Sequence, residues 1–164
     1  MKKFLLMMMA MFIVTGIYAQ DEKPIKIITN HPDFKVKVKR CVASDKTVIV
    51  DLILNNEGTN DVEKVYFGSS WTGAWHEAYD DEGNIYKDEK IRICVANTNE
   101  WKENRTDEFN IPAGVPIKVS IKIEGVPTSA EAIARLSLCF NCAAWGLDYR
   151  KKPLKISNIP ISRD

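Results

Sequence analysis

From Phe34 onward, apolar and polar residues alternate with a period of two far more often than 3.6. Phe34-Lys35-Val36-Lys37-Val38-Lys39 alternates cleanly, and Thr47-Val48-Ile49-Val50-Asp51-Leu52-Ile53-Leu54 does so while staying apolar enough on both faces for a central strand. Ser44-Asp45-Lys46 is turn material between them. Asn55 to Asp61 is a second turn, leading to a strand at Val62 to Phe67. Further strands are predicted at Glu77 to Tyr79, Ile85 to Lys87, Lys90 to Ala96, Ile117 to Glu124, Ala134 to Phe140 and Leu154 to Ser157. Only Ser129 to Ile133 reads as a short helical turn. Many short strands between turn clusters, with no amphipathic helix long enough to make parallel crossovers, predict an all-β, antiparallel immunoglobulin-like β-sandwich. Pro112, Pro116, Pro127, Pro153 and Pro160 fall at the ends of the runs, where a missing ladder donor is tolerated.

The N-terminus follows another rule. Met1-Lys2-Lys3 precedes an apolar run from Phe4 to Val14 and then Thr15-Gly16-Ile17-Tyr18-Ala19-Gln20. A basic start, an apolar middle and a small residue before a polar stretch predict a secretory signal peptide over residues 1–19, cut after Ala19. The run is about half the roughly 20 apolar residues that a membrane-spanning helix needs. Residues 20–164 are then expected to be one immunoglobulin-like domain, periplasmic or extracellular, with no membrane insertion after cleavage. Loss of Lys2 and Lys3 brings the 23 basic residues to 21 against 22 acidic ones. That balance supplies no electrostatic ground for a nucleic-acid partner.

A family resemblance rests on the strand and Asn-rich turn, on Ala78-Tyr79-Asp80-Asp81-Glu82-Gly83-Asn84-Ile85-Tyr86, and on Phe109-Asn110-Ile111-Pro112-Ala113-Gly114-Val115-Pro116. The mature chain resembles the secreted bacterial immunoglobulin-like domains grouped with the immunoprotective extracellular proteins. The resemblance implies a fold and a compartment, and no catalytic residues. The chain departs from that group in carrying four cysteines.

In an exported protein an even cysteine count predicts structural disulfides among Cys41, Cys94, Cys139 and Cys142. Strand parity sharpens this. It puts Cys41 on the face opposite Val36 and Val38, Cys94 opposite Ile91 and Ile93, and Cys139 opposite Leu138 and Phe140. Three cysteines on outward parity predict pairing of Cys94 with Cys41 or Cys139, or of Cys139 with Cys142, unless a bulge between Arg40 and Val42 flips the first. Zinc and redox readings of Cys139-Phe140-Asn141-Cys142 lack a second close ligand pair, and no metal or cofactor is expected.

Asp80-Asp81-Glu82-Gly83-Asn84 offers carboxylates at short spacing but does not match a calcium-binding loop, and a hairpin turn explains it. No nucleophile sits beside a base, and the acidic pairs Glu77 with Asp80 and Asp88 with Glu89 are the available pairs for glycoside hydrolysis. The aromatic residues point to binding: Trp71, Trp75 and Trp145, like Trp101, fall in loops, where exposed rings hold sugars or partner chains. The expected function is a non-enzymatic binding or interaction module for a protein or glycan at the cell envelope. The alternative is a small secreted hydrolase acting on glycan or peptide.

Overall fold

A computed structural model describes residues 23–29, 31–68, 76–142 and 153–163. The signal segment, with Ala19, lies outside the described residues, as do Trp71, Trp75 and Trp145. The strands are β1 Lys26–Ile28, β2 Phe34–Ser44, β3 Thr47–Asn56, β4 Val62–Phe67, β5 Glu77–Asp80, β6 Ile85–Lys87 and β7 Ile91–Val95. They continue as β8 Phe109–Ile111, β9 Ile117–Glu124, β10 Ala132–Leu138, β11 Phe140–Cys142, β12 Leu154–Pro160 and β13 Ser162–Arg163. A 3-10 turn, Asp88–Lys90, leads into β7.

Two five-stranded sheets, ordered β1-β12-β10-β5-β6 and β13-β2-β3-β9-β7, form the sandwich, and a short third sheet, β11-β4-β8, joins them. All strand pairs are antiparallel except β13 beside β2. The chain is the expected all-β antiparallel sandwich. Val48, Val50, Leu52 and Leu54 of β3 alternate inward with Val119, Ile121 and Ile123 of β9, and meet Ile133, Leu136 and Leu138 of β10 and Ile156 of β12 in one core. Period-two burial of β-branched side chains is the main stabilising term, roughly 1.5–3 kcal/mol for each fully buried residue. Phe67 and Phe140 stack at 4.7 Å, and Phe34 meets Phe140 at 5.6 Å, closing the core near the third sheet.

Three local readings are corrected. The expected strand Ala134 to Phe140 is two elements, because the chain leaves the first sheet after Leu138 and joins β4 from Phe140. The expected helical turn at Ser129 to Ile133 is instead a tight turn, with the Ala130 amide donating to the Pro127 carbonyl at 3.2 Å, and β10 starts at Ala132. Five residues are too few to nucleate a helix while Ile133 is drawn into the core. In β2 the register shifts between Val38 and Arg40. This bulge reverses the parity downstream, so Cys41 faces the core, and not the lysine side as alternation alone required.

Candidate functional site

The outer face of β2-β3-β9-β7 is where the sequence departs most from a plain sandwich. Asp51 is the one acid in the apolar run of β3, and its parity turns it away from the core. Its cross-strand neighbours there are Arg40 of β2 and Ser120 of β9. The carboxylate is nonetheless only 2% exposed, covered by Arg40 Nε at 2.5 Å, Ser120 Oγ at 2.5 Å and Lys118 Nζ at 3.3 Å. Burial alone would raise its pKa, but the bonds from Ser120, Arg40 and Lys118 outweigh it and hold the carboxylate below its ordinary range. Asp51 therefore stays ionised at neutral pH and fixes two cations side by side. Sequence reasoning passed over it, although a lone acid in an apolar strand was the available signal.

Next to this cluster an open groove of about 400 Å³ runs over β3. Ile53 and Asn55 form its floor, Lys35 and Lys37 one wall, and Gly114 and Pro116 the other. The Asn55 Oδ1 atom is buried without a hydrogen-bond partner. Lys118 is the cross-strand neighbour of Ile53 on β9 and Arg40 pairs with Asp51 further along the same face, so cations outnumber acids around the groove. Asp51→Ala is expected to cost roughly 2 kcal/mol, since it removes charged hydrogen bonds while leaving half-exposed cations that water can solvate. Urea unfolding at pH 7 measures it, and a loss below about 0.5 kcal/mol would contradict the clamp.

The second polar cluster lies where β10 passes into β11. His76, Cys139 and Asn141 are all buried. The Cys139 amide donates to His76 Nδ1 at 3.2 Å, so the imidazole proton sits on Nε2. Cys139 Sγ donates to the Gly68 carbonyl at 3.2 Å, and Asn141 Nδ2 donates to the same carbonyl at 2.8 Å. Burial lowers the His76 pKa to about 4 and pushes the Cys139 thiol up. Neutral imidazole and protonated thiol are the reverse of a primed nucleophile.

All four cysteines are buried, and none of the expected disulfide pairs is joined in this structure. Cys142 Sγ donates to the Glu63 carbonyl and Cys139 Sγ to that of Gly68, at opposite ends of β4. At about 3.3 Å per residue those carbonyls are on the order of 15 Å apart, far beyond a disulfide. Cys41 faces the core, and two strands separate β2 from β7 and Cys94. Cys94 keeps the expected outward parity, beside Ser120, with Thr98 Oγ1 at 3.8 Å. Burial pushes the Cys41 thiol up to about 12. Native protein should therefore react slowly with a thiol reagent such as dithionitrobenzoate and release four equivalents once unfolded without reductant; two or none would restore the disulfide reading.

The acidic pair Glu77 and Asp80 does not converge. Along β5, Asp80 is buried with Ala78 while Glu77 and Tyr79 are partly exposed on the other side. Asp80 is consumed by its turn: Oδ1 accepts from the Glu82 and Asn84 amides, and Oδ2 from Asn84 Nδ2 and Tyr86 Oη. Gly83, at φ +88°, supplies the left-handed step of that hairpin. Glu77 pairs with Lys87 at 2.7 Å. Among the described residues no three His, Cys, Asp or Glu side chains gather as a metal site. Trp101 is half-buried, with Lys122 Nζ 5.0 Å from its ring centre.

No family model matches the chain, and no curated protein matches it. Among solved structures it is similar to a family 123 glycoside hydrolase from Clostridium perfringens, analysed for glycolipid glycan hydrolysis, at 13% identity and a TM-score of 0.42. The match takes in 85% of this chain and 26% of that one, so the chain spans about a quarter of the hydrolase.

Proposed function

We propose that residues 20–164 form an exported, non-enzymatic binding or interaction module of the periplasm or cell exterior, engaging a protein or glycan at the cell envelope. The observation that carries this is the cation-walled groove over β3, whose neighbouring Arg40 and Lys118 are held in place by the buried Asp51. Preorganised charge beside an open floor of one apolar and one amide side chain suits recognition, because little side-chain entropy is lost on binding. Trp71, Trp75 and Trp145 remain proposed aromatic contacts. Hydrolysis draws less support. A general acid needs a carboxyl held protonated near neutral pH, whereas Asp51, Glu77 and Asp80 are all held ionised by their partners.

A glycan array on the mature chain, run beside a pull-down from cell envelope, tests the reading. Retention of a defined ligand is the expected result, and turnover of reporter glycosides or peptides would overturn it. N-terminal sequencing of the exported protein should find Gln20 or a residue within a few positions of it as the first; an intact Met1 would remove export from the proposal.

A further inference from the structure

Among the described residues, no strand pairs with the outer edge of β2 over Lys35 to Val38. β3 pairs with one side of β2 throughout, whereas on the other side β13 reaches only Val42 and Ala43. Among the described residues no strand lies along Phe34 to Val38 on that side. The five residues alternate in a way that specifies a partner. Lys35 and Lys37 are exposed on the outer face, and Val36 and Val38 pack on the core yet stay only partly buried. Lys35 meets Glu57 at a loose 3.9 Å, and Lys37 has no ion-pair partner among the described residues.

Resting on the binding-module reading, we propose that this edge accepts an extended segment of another protein, in which acidic residues alternate with apolar ones. Added beside β2, such a segment places carboxylates as cross-strand neighbours of Lys35 and Lys37, about 6.7 Å apart along the strand. Its intervening apolar residues cover Val36 and Val38, and its backbone bonds the edge-facing ladder groups of those two residues. A second copy of this chain does not fit, because β2 against β2 sets lysine opposite lysine in every register that keeps the faces aligned. The lysines thus bar self-pairing, as basic residues on sheet edges do, and admit an acidic strand. The bulge after Val38 limits the regular pairing to about five residues.

The test uses the mature chain and fluorescein-labelled peptides in a polarisation titration at low and physiological salt. One peptide alternates Glu and Val over seven residues, a second has the same composition in blocks, and a third carries N-methyl groups on one edge of the alternating peptide. Saturable binding of the alternating peptide is expected, at least tenfold weaker for the other two. Lys35→Glu with Lys37→Glu should weaken it at least tenfold as well, with thermal unfolding confirming the fold. The same double variant should gain binding to an alternating Lys-Val peptide. Equal binding of blocked and alternating peptides, no binding, or preference for a polyuronate over every peptide would each overturn the inference. An envelope ligand captured equally by wild type and the double variant would leave the binding-module reading standing while removing this edge as its site.

Discussion

Gly68→Ala is expected to destabilise the protein by about 3 kcal/mol or more, lowering the thermal midpoint by roughly 10 °C. Gly68 has φ +132°, a backbone region that L side chains rarely adopt. A Cβ there would also collide with the Asn104 carbonyl oxygen and stand 2.8 Å from the Arg105 Cα, both main-chain atoms with little room to move. The site is tied from several directions: the Gly68 amide donates to the Cys139 carbonyl at 2.8 Å, and its own carbonyl takes the Cys139 thiol and the Asn141 amide. Shifting the backbone to relieve the clash would break these buried bonds, each worth roughly 1 kcal/mol. Gly83→Ala is the matched control. It shares a positive φ, but nothing lies within 4 Å of its added Cβ, so it should cost only about 1 kcal/mol. Equal losses in the two variants would show that backbone conformation matters and crowding at Gly68 does not.

That contrast marks how far alternation carries a sequence reading. β9 falls where the pattern puts it, because it alternates from end to end; β4 keeps its expected bounds across a register shift between Val62 and Val65, and β6 is delimited by the Asp80 to Asn84 turn before it. β1, β8 and β13 escape it, since two or three residues are too short to display a period. Cys41 shows the larger weakness: one bulge, between Val38 and Arg40, turns a correct local pattern into the wrong face for everything after it. Cys94, on a strand where the parity holds up to the cysteine, keeps the outward side assigned to it, whereas Cys139 falls between β10 and β11. The groove and the outer edge of β2 depend on which strands become neighbours, and Gly114 and Pro116 reach Lys35 and Lys37 only across β3. Asp51 lay in plain view as the lone acid of its strand, but its role needs Lys118, 67 positions further on, brought alongside by β9.

Stability should also fall as pH drops from about 6.5 to about 4, through His76. The imidazole is 5% exposed, and its Nδ1 already accepts the Cys139 amide, so protonation would place an uncompensated charge in the interior and break that bond. Folded His76 accordingly resists protonation until about pH 4, whereas a solvated histidine takes up its proton near 6.5. Between those values the unfolded chain binds more protons than the native one, so acidification favours unfolding across the window. At about 1.4 kcal/mol per pKa unit, the effect approaches 3 kcal/mol by pH 4. Asp51, Glu77 and Asp80 act lower down. Their folded pKa values are depressed, so their contributions are present above the ordinary carboxylate range and vanish only as pH falls below about 4. The two windows barely overlap, and this separates the causes. His76→Asn keeps an acceptor near the Nδ1 position and cannot titrate. It should be less stable than wild type at pH 7, through lost packing, yet nearly level between pH 6.5 and 4.5, where wild type slopes. Urea midpoints at half-unit steps of pH measure both curves, and an unchanged slope in the variant would assign the acid sensitivity to other groups.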